Sequence, residues 1–348
     1  MHIFEKPDNL VELIENSIEK YPDNAMFGTK NEEGEYDWVT YREVGTRIDN
    51  LRGGLRQAGI EKGDAVGIIA SNRTEWAIAA YATFGLGGRY IPMYEKELVK
   101  VWKHIINDGD IKLLLVATQE IYDQLAAMQD ELPGLEKIYL IEGEGENTMS
   151  GLENVGAASP VPSIRPKPED IAVLIYTSGT TGNPKGVLLS HGNFTSNVLA
   201  GYKVFSELND SDRGFSILPW AHSFGQTGEL YLYSHIGGSV GFMGDITTLG
   251  DDMAKVQPTF LIAVPRVFNK IYAGLWAKID EKGGLAKKMF VMGIEAAKKR
   301  RELSEKGQSD FLANIKFKIA DAVVFQQDSG QVRGPFKGRP DWKCHHEY

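Results

Sequence analysis

Apolar residues recur at helical spacing from the start of the chain. Leu10, Leu13, Ile14 and Ile18 share one face, and Asn9 with Glu12 has capping-box spacing, which predicts an amphipathic helix ending near Tyr21. A second box, Thr40 with Glu43, opens a helix whose Val44, Ile48, Leu51 and Leu55 line one face, with Gly59 beyond its end. Short apolar runs then alternate with helical stretches: a strand over 65–70, a helix over 73–84, a strand over 90–93, a helix over 98–106 and a strand over 113–117. Such alternation is a βαβ series. Right-handed crossovers lay its strands into a mostly parallel, doubly wound α/β sheet with helices on both faces, and the binding crevice belongs at the strands' carboxyl ends.

Beyond this series the periodicity lapses. Residues 142–169 are rich in Gly, Glu, Ser and Pro and read as a surface connection, not a fold element. The pattern resumes at 171–176, a short apolar run suited to a strand covered on both faces, and again at the strand 187–189. A helix over 193–205, a strand over 214–218, a turn into helix over 218–233, a strand over 260–264 and helix over 285–324 complete the expectation. The basic run 298–301 fits a solvated helix face.

Between the strands 171–176 and 187–189 lies the chemistry. Ser178, Gly179, Thr180, Thr181 and Gly182 let the backbone take positive φ and turn N–H groups towards an anion, while the hydroxyls add donors. Lys185 supplies positive charge, Pro184 stiffens the approach to it, and Gly186 follows. A nucleotide P-loop would need Gly-Lys followed by Ser or Thr and a helix, and that order is absent here. Composition alone would allow a mobile surface loop.

With 348 residues, 42% of them hydrophobic, the chain can bury a substantial core. Its net charge of −9 leaves no basic footprint for nucleic acid. A single cysteine, Cys344, excludes an internal disulfide framework and a multi-cysteine metal site. The acidic, amphipathic amino terminus lacks a secretory pattern, so cytoplasmic residence is expected. Glycines and Arg89 interrupt the longest apolar stretch, which argues against a spanning helix and leaves peripheral membrane contact open. Oligomeric state is not readable.

The string YTSGTTGNPKGV resembles the phosphate-binding signature of the adenylate-forming superfamily. DWVTYREV, KGDAVGIIASNRTEW and INDGDIKLLLVA, in the expected order ahead of it, extend the likeness. In detail Trp38 and Trp76 read as core aromatics, Asn72 as a helix cap and Asp64 as a turn residue. LPWAHSFGQTGELYLY resembles the family's next motif, in which a His or aromatic side chain lines the acid pocket; His222 holds that position, and Trp220 and Gln226 read as pocket wall or core. VPRVFNKIYAGL is similar to a segment of long-chain fatty acid synthetases, with Arg266 expected to tie a carbonyl or carboxylate.

The resemblance implies ATP-dependent activation of a fatty carboxylate to an acyl-adenylate, followed by transfer to coenzyme A. It makes Lys185 and His222 catalytic, Thr177, Ser178, Gly179, Thr180, Thr181, Gly182, Lys185 and Gly186 nucleotide-binding, and Thr177 the residue that approaches magnesium. A medium-chain or aryl acid ligase, or a non-catalytic nucleotide-binding fragment, is the alternative. The family's later adenine, ribose and hinge motifs and its carboxy-terminal lysine are absent; Glu229 follows Thr227-Gly228 in the wrong context for the ribose contact. Residues 1–325 are therefore expected to be a truncated amino-terminal part of the large domain, without the small domain and incapable of making acyl-CoA alone. The tail 326–348 has no periodicity. With suitable synonymous codons, a shift of one nucleotide after Phe325 gives a Phe-Gly-Gly-Arg turn and a strand like the family's continuation, so a frameshifted tail is expected, with a disordered terminus as the alternative.

Overall fold

The computed structural model describes residues 6–177, 183–245, 247–281, 283–306, 308, 310–312 and 314–315. Two compact units divide the chain, Met1–Phe242 and Met243–Tyr348. The first opens with α1 (Leu10–Lys20), β1 (Ala25–Lys30), β2 (Tyr36–Thr40) and α2 (Tyr41–Gln57). It continues through β3 (Ala65–Ile69), α3 (Thr74–Gly85), β4 (Arg89–Met93), α4 (Val99–Asp108), β5 (Ile111–Val116), α5 (Gln119–Ala126) and β6 (Lys137–Leu140). Then come α6 (Met149–Ala158), β7 (Ile171–Thr177), β8 (Lys185–Ser190), α7 (His191–Val204) and β9 (Arg213–Ser216). A helical passage of α8 (Ser223–Gly225), a π-helical turn Gln226–Tyr231 and α9 (Leu232–Ile236) leads to β10 (Ser239–Phe242).

The βαβ expectation holds for the six-stranded sheet, ordered β6-β5-β3-β4-β7-β8 and parallel except for β8, which runs antiparallel to β7. Ile69, Ile91, Trp102, Ile105, Leu114, Val116 and Leu174 pack with α4 and α5 into one apolar cluster against this sheet. A second sheet, ordered β2-β1-β10-β9, pairs β1 in parallel with β10, more than two hundred residues away, so local pattern gave no sign of it.

Local chemistry explains the ends of the early helices. Asn9 Oδ1 accepts from the Glu12 N–H at 2.8 Å, but Glu12 returns its carboxylate to the Asp8 N–H, so this cap is one-sided. Thr40 and Glu43 make the full reciprocal box. Helix α3 is buried all round, with Trp76 edge-on to Tyr90 at 5.0 Å and to Trp220 at 5.4 Å. Trp38, by contrast, is half-buried beneath the Arg213 guanidinium, 4.4 Å from its ring centroid.

Residues 142–169 are not a bare connection. They contain α6, which lies against α2 so closely that a Cβ on Gly156 would come within 1.7 Å of the Asn50 carbonyl oxygen. Arg47 of α2 pairs with Glu153 of α6 at 3.0 Å. The second unit holds α10 (Leu249–Val256), α11 (Pro265–Glu281) and α12 (Gly284–Glu305). The strand expected over 260–264 is irregular backbone leading into α11, and Arg266 is exposed without an ion pair among the described residues. Lys298, Lys299 and Arg301 are exposed on α12. The tail 326–348 lies outside the described residues, as does most of the helix expected beyond 305.

Candidate active site

Strand β7 is interior, flanked by β4 and β8, and its apolar side chains from Ala172 to Ile175 are buried. It turns back on itself into β8, so Thr177 and Lys185 are cross-strand partners at the mouth of a hairpin, both exposed. Ser178, Gly179, Thr180, Thr181 and Gly182 fall between these two partners in the sequence and lie outside the described residues. Gly186 pairs with Tyr176, whose ring would meet a Cβ there at 3.1 Å. The covering of β7 on both faces thus holds, whereas β8 is an edge strand with Val187 and Leu188 exposed.

Helix α4 anchors both arms of this hairpin, a feature the sequence did not signal. His104 donates from Nε2 to the Pro184 carbonyl at 2.9 Å, and Tyr176 donates to Asp108 Oδ2 at 2.7 Å. Burial and the neighbouring Asp108 push the Tyr176 phenol up, so it stays protonated as a donor. Lys185 is thereby fixed at its backbone while its side chain remains in solvent.

The second cluster forms where β9 ends. Asn72 does not cap α3: Arg73 is the residue before that helix, and Asn72 reaches across to the loop after β9. Its amide donates to Ser216 Oγ at 2.8 Å and to the Leu218 carbonyl at 2.7 Å, while its Oδ1 accepts from the Trp220 N–H at 2.8 Å. Gln226 holds the Trp220 carbonyl at 2.7 Å. Glu229, wholly buried, accepts from the Ile217 and Leu218 N–H groups, each at 2.9 Å, from Ser216 Oγ at 2.8 Å and from the Trp220 indole at 3.3 Å. Burial pushes the Glu229 carboxyl up to about 8, against the pull of these donors.

The clamp fixes the backbone just before His222. Trp220 and Gln226 are core, as one of their two readings had it, and the π-helical turn begins at Gln226. His222 itself is exposed, and its ring meets that of Tyr94 edge-on at 5.3 Å. The structure therefore brings Thr177 opposite Lys185, and His222 against Tyr94.

Residues 14–311 match the model of the AMP-binding enzyme family. The chain belongs to that family. Curated relatives of this AMP-binding chain include the peroxisomal long chain acyl-CoA synthetase 7 of Arabidopsis thaliana, 33% identical over 94% of this chain and 49% of its own length. Another is long-chain-fatty-acid–CoA ligase 6 of Rattus norvegicus, 30% identical over 87% of this chain and 46% of its own. The chain spans about half the length of these relatives. Among solved structures, a long-chain-fatty-acid–CoA ligase from Archaeoglobus fulgidus superposes with a TM-score of 0.69 at 24% identity, over 79% of this chain and 55% of that one. The adenylation domain of a carboxylate reductase from Mycobacterium chelonae gives 0.71 at 20% identity, over 81% and 51%. The AMP-binding fold is thus confirmed. Among the described residues no helix is long and apolar enough to cross a membrane.

Proposed function

We propose that the site activates a fatty carboxylate with ATP, forming an acyl-adenylate and pyrophosphate, and that the whole protein passes the acyl group to coenzyme A. The observation that carries this reading is the β7–β8 hairpin, which sets Thr177 opposite Lys185 at the carboxyl edge of a parallel sheet in a chain of the AMP-binding family. An anion must attack a phosphate that is already negative. Lys185, with the N–H groups and hydroxyls of 178–182, is assigned to offset that charge and to stabilise the leaving pyrophosphate. A long-chain acid is favoured because the relatives' names specify one.

Magnesium is proposed to bind through phosphate oxygens, with the Thr177 hydroxyl as its protein neighbour. Among the described residues no group of three or more His, Cys, Asp or Glu could hold a metal ion. The proposed residence is cytoplasmic, although two relatives are named as peroxisomal. The first test is ATP binding by the 348-residue chain. Lys185→Ala should weaken it about tenfold, as loss of one charge-assisted contact would, without changing the thermal midpoint, because the side chain is exposed. Unchanged ATP affinity in that variant would refute the assigned role.

A further inference from the structure

Tyr94 is the first residue beyond β4, and β4 runs parallel to β7 with Tyr90 opposite Val173. Because the two strands are parallel, Tyr94 leaves β4 at the same carboxyl edge of the sheet at which β7 reaches Thr177. From there its ring reaches His222, at 5.3 Å and an interplanar angle of 72°. One side chain thus stands at the sheet edge that carries Thr177 and touches His222, the residue expected to line the acid pocket.

The backbone beneath Tyr94 is firmly held. Its carbonyl accepts from the Trp102 indole at 2.9 Å and from the Glu97 N–H at 3.3 Å. The ring is half-buried, yet its hydroxyl has no hydrogen-bond partner among the described residues. Polar neighbours on the same edge are already committed: Glu95 accepts from the N–H and hydroxyl of Ser71 at 2.9 and 2.8 Å, and Asn72 holds the loop after β9. Burial, then the nearby charge of Glu97, push the phenol up to about 12, so it is a neutral donor at any physiological pH.

Resting on the function proposed above, we propose that the Tyr94 hydroxyl orients the substrate's carboxylate by donating a hydrogen bond to one of its oxygens while the other oxygen attacks the α-phosphorus. The new bond is carboxylate oxygen to phosphorus. The bond that breaks joins the α-phosphorus to the bridging oxygen, whose electron pair leaves with pyrophosphate, and the phenolic proton stays on Tyr94. A donor in this place lowers the entropy cost of attack by fixing which oxygen faces the phosphorus. His222 supports the ring from its edge.

The test compares the 348-residue chain with its Tyr94→Phe variant, which keeps the ring contact to His222 and removes only the hydroxyl. Calorimetric titrations use ATP with magnesium, dodecanoate, and dodecanol as the ligand lacking a carboxylate. The expected result is a preference for acid over alcohol that falls about tenfold in the variant, with ATP affinity unchanged. An unchanged preference, or a wild-type chain that binds ATP but not the acid, overturns the role of Tyr94 and leaves the nucleotide site standing. Binding of neither ATP nor acid by the wild-type chain overturns the functional reading itself. Circular dichroism of the variant confirms that the fold is retained.

Discussion

Glu229 is a carboxylate placed where water cannot reach it, and all its partners can be donors. The Ser216 hydroxyl already accepts from Asn72, so it is free to donate to an ionised Glu229 or to accept a proton from the neutral acid. Raised to about 8 from an ordinary value of 4.5, Glu229 holds its proton in the folded chain after the unfolded chain has lost it. Its contribution to stability is therefore complete below about pH 4.5 and is lost as pH rises through 8. His191 and His235, both lowered by burial to about 4, act in the opposite sense, and their contribution is lost only as pH falls from 6.5. Between about pH 6.5 and 8 the Glu229 term stands clear, with a slope on the order of 1 kcal/mol per pH unit. Urea denaturation should show stability falling across that interval in the wild type, and Glu229→Gln should flatten the fall while costing about 1–3 kcal/mol for the donor it leaves opposed. A wild type with no decline across the interval would show that the donors keep Glu229 ionised. Nothing in the local sequence foretold this residue, because its partners come from β9 and the loop beyond, nine to thirteen positions back.

At the scale of elements, α2 and α6 show why a glycine-rich stretch misled the reading of 142–169. Composition rich in Gly and Ser describes loops on average, but Gly53, Gly54 and Gly156 are flat spots through which two helices touch backbone to backbone. A Cβ on Gly54 would lie 2.1 Å from the Leu152 carbonyl oxygen, and one on Gly156 would lie 1.7 Å from that of Asn50. Gly156→Ala should therefore lower stability by about 1–3 kcal/mol, since the helices must separate to admit the methyl. Gly201, in α7, meets nothing within 4 Å, and Gly201→Ala should raise stability by about 0.5–1 kcal/mol through lost backbone freedom in the unfolded chain. Equal midpoints for the two variants in urea would contradict the close approach. The elements legible beforehand were those whose instructions are local: the Thr40–Glu43 box, the alternation from β3 to β5, and the strand β7. Of the candidate site, the strand β7 was legible beforehand, while the expected phosphate loop over 178–182 lies outside the described residues. The anchoring of the hairpin on His104 and Asp108, and the clamp around Trp220, rest on contacts between segments too far apart in the chain for any spacing to reveal.

For the molecule as a whole, the first unit contains every strand of both sheets, together with Thr177, Lys185, Tyr94 and His222. Its last strand, β10, is interior: it joins β1 to β9, and without it β9 would have no neighbour. Phe242 at its end stacks on Phe27 at 5.5 Å and meets Trp220 at 5.5 Å, while Tyr36 donates to its carbonyl at 2.7 Å. Cutting directly after Phe242 should spare each of these contacts, whereas cutting after Ile236 removes the strand and opens the aromatic cluster. The fragment 1–242 is therefore expected to unfold in one cooperative transition and, on the proposed function, to bind ATP within about threefold of the 348-residue chain, because its core and its candidate site residues lie on the same side of the cut. The fragment 1–236 should show no such transition, since the unpaired backbone and exposed aromatics left behind cost more than the remaining sheet can offset. Calorimetry and far-ultraviolet dichroism on the two fragments decide the matter. A 1–242 fragment without a cooperative transition would mean that the first unit depends on the second for its fold, and a cooperative 1–236 would mean that β10 is dispensable to the sheet it joins.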